Sequence, residues 1–175
     1  PLHHAEQERL KKEKEEGKSF NVFSALNMCS DEVRLHSRLL ATLLNPKVNH
    51  GLENEFLKSF LIALRLPEDY ITYCKEQIVE RSIGEVTETT GGRIDIILED
   101  RGHAVIIENK IYASDQPNQL LRYYNYGVKT FGENNFKLVY LTLYGCKPSS
   151  DSLGGENYGN SNRTNQGLTQ GRRNA

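Results

Sequence analysis

Two apolar runs joined by a tight turn constrain this 175-residue chain more than any other feature in it. Arg93 to Glu99 and Ala104 to Lys110 are rich in Ile and Val, and Asp100-Arg101-Gly102-His103 between them carries turn chemistry. A hairpin fixes its own register. With Arg101 and Gly102 as the turn residues, Asp100 pairs with His103, and counting back along both strands sets Asp95 opposite Glu108 on one face. Strand alternation returns Lys110 to that same face. Facing carboxylates repel, and Ile94, Ile96, Ile97, Val105, Ile106 and Ile107 imply partial burial, so positive charge is expected between them. A hard divalent cation such as Mg²⁺, with Mn²⁺ as a substitute, is bound by one or two carboxylates together with water and phosphate oxygens. Lys110 then stands where it can orient or help deprotonate an attacking water, which is hydrolytic phosphodiester chemistry. The competing reading is a surface hairpin with an ordinary solvated Glu-x-Lys pair; apolar neighbours on both strand faces argue against it.

Around the hairpin the hydrophobic period predicts further elements. Residues 1–19 are expected to form a charged arm or a solvated helix, with Glu6 to Lys18 almost entirely Glu, Lys, Arg and Gln. After the apolar stretch Phe20 to Leu26, Ser30 is a candidate N-cap for a helix ending at Asn45-Pro46, with Val33, Leu39, Leu40, Leu43 and Leu44 at helical spacing. A second amphipathic helix is predicted over Glu53 to Leu66, turning Phe56, Leu57, Phe60, Leu61 and Leu64 inward. Gln77 to Ile83 reads as a strand preceding the hairpin. Ser114 to Pro117 supply capping residues for a helix from about Pro117 to about Lys129, and Phe136 to Tyr144 is a final strand. Helices, three meandering strands, a helix and a last strand suit an α/β domain over 20–145, a mixed central sheet with helices on both faces. The polar stretch 146–175 is expected to lack packed structure, as in a truncated or unstructured tail.

Composition narrows the setting. A net charge of −1 carries no global basic signature, so any nucleic-acid surface must be a local patch. Cys29, Cys74 and Cys146 are odd in number and far apart, which argues against a zinc site or disulfide framework and suits a reducing cytoplasm. No apolar run approaches the roughly 18 residues of a spanning helix, so no membrane partner is expected.

Gly92-Arg93-Ile94-Asp95, twelve residues, then Glu108-Asn109-Lys110 resembles the D…(D/E)-x-K signature of PD-(D/E)XK nucleases. Gln119-Leu120-Leu121-Arg122-Tyr123 resembles the Q-x-x-x-Y helix motif of RecB-like exonuclease domains in that superfamily. Glu32 to Ser37 and Asn45-Pro46 resemble the N-terminal helix of the bacterial subgroup called PD-(D/E)XK family four. The resemblance implies a restriction-endonuclease-like fold and a Mg²⁺-dependent deoxyribonuclease. It implies metal ligation by Asp95 and Glu108, with Glu32, or His36 on the same helix, completing the site, and catalysis by Asp95, Glu108, Lys110 and Gln119. Arg93, Tyr123 and His36 become substrate contacts. DNA is the expected partner, with RNA and a homodimer left open. Other readings stand beside these: Glu32 as a first-turn acid favouring the helix dipole, His36 as a hydrogen-bonded residue at the core edge, Gln119 and Tyr123 as packing residues, Arg93 as a balance for local acids. The alternative function is a catalytically inactive nuclease-fold module that binds nucleic acid or protein.

Overall fold

The computed structural model describes residues 31–72 and 78–155, together with isolated exposed or helical positions at 7, 8, 11, 12, 15 and 25. The expected apolar stretch Phe20 to Leu26, apart from Ala25, the Ser30 cap, Cys29, Cys74 and residues 156–175 lie outside the described residues. Two compact units are separated at Asp31, and the second, from Glu32 onward, contains all the elements below.

Four strands form one mixed sheet in sequence order: β1 (Ile78–Ser82), β2 (Arg93–Asp100), β3 (His103–Lys110) and β4 (Phe136–Thr142). β1–β2 and β2–β3 pair antiparallel, and β4 joins β3 in parallel. The predicted hairpin is present with its register: Asp100 pairs with His103 and the ladder runs to Ile96–Ile107. Arg101 and Gly102 have φ of 49° and 87°. Positive φ at both turn residues is the type I′ geometry whose twist matches the flanking strands.

Strand alternation divides the core into two layers. Ile96, Leu98, Val105 and Ile107 pack with Val139 against Ala41, Leu44, Leu57, Leu61 and Leu64 on one face. Ile97 and Ile106 pack with Leu138, Leu120 and Tyr123 on the other. Ile94 joins this second layer out of alternation, beside the rung where Glu80 takes φ of 61°.

On the first face, a π-helical segment (Glu32–Ser37) runs directly into α1 (Arg38–Leu43). Bonding from i to i+5 turns the chain less per residue than an α-helix, so the helical phase shifts. Ala41 and Leu44 therefore face the sheet, while Leu39, expected inward from its spacing, is exposed. α2 (Glu55–Ala63) is shorter than its predicted span and ends where Arg65 turns left-handed at φ 59°. Leu57 and Leu61 are its buried side chains, and Leu64, which caps it, continues the i, i+4, i+7 pattern.

On the second face lies α3 (Gln119–Phe131). It starts two residues later than predicted because its cap comes from elsewhere. The Leu120 and Leu121 amides both donate to the Ser152 carbonyl, at 3.0 and 3.3 Å, and Asn118 N donates to the Asp151 carbonyl at 2.9 Å. Main-chain carbonyls thus satisfy donors that a helix N-terminus otherwise leaves orphaned. Ser152 is fully buried, so this polar stretch meets the domain at that one residue, while residues 149, 150, 151 and 153 around it are exposed. Among the described residues no helix is long and apolar enough to cross a membrane.

Candidate active site

One rung of the sheet carries the chemistry. Extending the β1–β2 register through its flanking pairs, Val79–Ile96 and Arg81–Ile94, sets Glu80 across from Asp95. Extending the β2–β3 register one step past Ile96–Ile107 sets Asp95 across from Glu108, and Glu108 pairs with Tyr140 on β4. Three carboxylates and a tyrosine therefore line up across four strands, on the face that α3 covers. A cleft of about 550 Å³ opens there, lined by Glu80, Arg93, Asp95, Glu108, Lys110 and Gln119 among others.

Glu108 is buried at 1 % exposure, and its Oε1 is shared by two donors: Lys110 Nζ at 2.8 Å and Gln119 Nε2 at 2.9 Å. The ion pair forms because residues two apart on a strand share a face. Gln119 belongs to the first turn of α3, so the carbonyl cap from Ser152 also places this amide. Its Nε2 lies 3.2 Å from the Tyr123 hydroxyl, one helical turn on, and that hydroxyl donates to the Arg93 carbonyl at 2.5 Å. Gln119 Oε1 is buried and has no partner among the described residues.

Tyr123 can approach β2 this closely because Gly92 precedes Arg93: a Cβ there would lie 3.2 Å from the tyrosine ring, and its φ is 121°. Arg122 fastens the same segment, its Nε donating to the Gly91 carbonyl at 3.1 Å. Burial pushes the Tyr123 phenol upward, with the Glu108 charge adding to the effect, so it acts here as a neutral donor. Tyr123 lines the cleft with its hydroxyl committed to the protein.

Asp95 accepts the Asn109 amide at 2.7 Å, a bond across the hairpin that aims its carboxylate. Burial is the main cause that holds its pKa up, at about 6; the Glu80 charge and a hydrogen bond between the two carboxyls raise it further, while Asn109 N and Lys110 oppose. Glu80 in turn forms an ion pair with Arg93 Nε. On the far side Asp115 is anchored by Tyr140 Oη at 2.6 Å and Ser149 N at 2.7 Å. Burial alone would raise that carboxyl, but those bonds and the Lys110 charge hold it below its usual range.

Asp95, Glu108, Lys110, Gln119, Arg93 and Tyr123 thus come together, as the hairpin and the helix spacing predict. His36 is half-buried and does not line the cleft. Glu32 opens the π-helical segment, but its side chain lies outside the described residues. That segment reaches β3 through Ser37, fully buried, whose hydroxyl accepts the Asn109 side-chain amide at 3.2 Å. Glu80 is the residue that the sequence did not reveal. A ten-residue connection, 83–92, separates its strand from β2, so no tight turn announced the register.

As the side chains stand, no group of three or more His, Cys, Asp or Glu converges to hold a metal among the described residues. Glu80 is turned to Arg93 and Glu108 to Lys110 and Gln119. The donor set nonetheless suits a hard divalent cation: carboxylate oxygens on adjacent strands, a buried amide oxygen without a partner, and a carboxyl whose charge is disfavoured as it stands.

The family model described as the PD-(D/E)XK nuclease superfamily matches residues 20–167. No protein of curated function and no solved structure matches the chain.

Proposed function

The chain belongs to the PD-(D/E)XK nuclease superfamily, and from that premise we propose that it is a Mg²⁺- or Mn²⁺-dependent deoxyribonuclease whose working residues are Asp95, Glu108 and Lys110. The observation that carries this reading is their convergence on one cleft, with Lys110 Nζ 2.8 Å from Glu108 and Asp95 at the neighbouring rung position. Asp95 and Glu108 are the ligands proposed for the cation. When bound, a divalent cation supplies positive charge that stabilises the phosphodiester transition state and favours ionisation of water.

The remaining work falls to the protein. Lys110 Nζ, fixed by Glu108, is placed to hold the attacking water or to balance charge growing on a phosphate oxygen. Gln119 keeps the Glu108 carboxylate in one orientation through Nε2, and Tyr123 keeps Gln119. Arg93 is two-thirds exposed at the mouth of the cleft and is the phosphate contact.

A gel assay with linear and circular DNA tests the proposal, run with Mg²⁺, Mn²⁺ or EDTA on the wild type, Asp95→Asn and Lys110→Gln. Cleavage by the wild type that needs the cation and is lost in both variants is the expected result. Equal cleavage by both variants would overturn the assignment, and single-stranded RNA in the same assay separates the two polymers.

A further inference from the structure

We propose that Glu80 is a third ligand of the divalent cation, its charge taken up by Arg93 until a substrate phosphate draws that guanidinium off. The inference rests on the nuclease reading above and adds a residue and a sequence of events to it. Its basis is placement. Glu80 stands across from Asp95 on the rung that also carries Glu108, and all three side chains line the same cleft. Its side chain is 19 % exposed, while the Arg93 side chain that engages it is 66 % exposed. The acid belongs to the floor of the cleft and the base to its mouth.

A second observation points to a ligand in the same place. Gln119 is 95 % buried, lines the cleft and directs its amide nitrogen to Glu108, yet its Oε1 has no partner among the described residues. Buried amide oxygens are satisfied in finished sites, by protein, water or a cation with its waters. The same cleft thus holds an acid paired with an exposed cation and an acceptor awaiting a donor or positive charge.

Chemistry gives the order of events. An exposed guanidinium held by one carboxylate is a weak and exchangeable contact, whereas Arg engages a phosphate through parallel hydrogen bonds. When Arg93 moves to a phosphate entering the cleft, Glu80 is left beside Asp95 with no counter-charge, which favours a cation bound between them. Substrate and cation then bind with positive coupling, each assisting the other.

The test is isothermal titration of Mn²⁺ into the full chain without nucleic acid, for the wild type, Arg93→Ala, Glu80→Gln and the double variant. Arg93→Ala should mimic the substrate-bound state and tighten Mn²⁺ binding about tenfold. Adding Glu80→Gln should cancel that gain. No change in Arg93→Ala, or a gain that persists in the double variant, overturns the proposal. If thermal melts show Glu80→Gln unfolded, Glu80→Asp takes its place; it keeps the charge and shortens the reach, and loss of the gain is again expected. Asp95→Asn, titrated in parallel, separates the failures. Mn²⁺ bound by the wild type, lost with Asp95 and indifferent to Glu80 and Arg93, overturns only this inference. A chain that takes up no Mn²⁺ with or without Arg93 overturns the nuclease reading as well.

Discussion

At the scale of single residues, the Glu108–Lys110 pair is the most exacting feature, because both side chains are at least nine-tenths buried. Removing one member of such a pair leaves an uncompensated charge, whereas an apolar replacement of similar length fills the space. Lys110→Ala is therefore expected to lose about 3 kcal/mol of stability at neutral pH without metal. Replacing both members, as Glu108→Gln with Lys110→Met, should recover most of it. Urea titration of the two proteins checks this; equal losses would mean that the charge is solvated after all. Glu80 shows the complementary limit on reading a sequence. Its φ of 61° in the middle of a strand and its place across from Asp95 arise from tertiary pairing, and neither its neighbours nor its spacing encodes them.

The elements were legible in proportion to how locally they are determined. The hairpin's register followed from two turn residues, and it carried Asp95, Glu108 and Lys110 with it. Gln119 and Tyr123 followed from one turn of helix. The start of α3 was not legible, because its cap is the carbonyl of a residue more than thirty positions further along, in a stretch whose composition suggested no packing. That cap makes a prediction about a side chain that does nothing. Ser152 works through its backbone, while its buried Oγ has no partner among the described residues. Ser152→Ala should therefore be neutral or stabilise by up to about 1 kcal/mol, since it removes an unsatisfied hydroxyl. Gly127→Ala should do the opposite on the same helix. A Cβ there would sit 2.4 Å from the Phe136 ring, so the ring or α3 must shift, at a cost of about 1–3 kcal/mol. Thermal melts of the two variants should move apart, and a common direction would contradict the packing described.

At the scale of the whole molecule, the site should be visible in the dependence of stability on pH, because Asp95 titrates near 6 in the folded protein and near 3.8 in its ordinary state. Between those values the native chain keeps a proton that the unfolded chain has released. Stability therefore falls as pH rises from about 4 to about 6, by about 3 kcal/mol from this group, and stays lower above that window. This is the reverse of a carboxylate held by a salt bridge. It follows that Asp95→Asn, which has no charge to bury and retains an oxygen for the Asn109 amide, should be more stable than the wild type at pH 7.5 in EDTA. The gap should close near pH 4. A cation that binds the ionised carboxylates acts against the loss, so Mn²⁺ at about a hundred times its dissociation constant should restore roughly 3 kcal/mol to the wild type and little to the variant. Denaturant titrations at the two pH values, with Mn²⁺ or EDTA, separate the cases. A wild type more stable than Asp95→Asn in EDTA at pH 7.5 would mean that Asp95 is already neutralised by the protein, and the argument for a cation between these strands would lose its electrostatic basis.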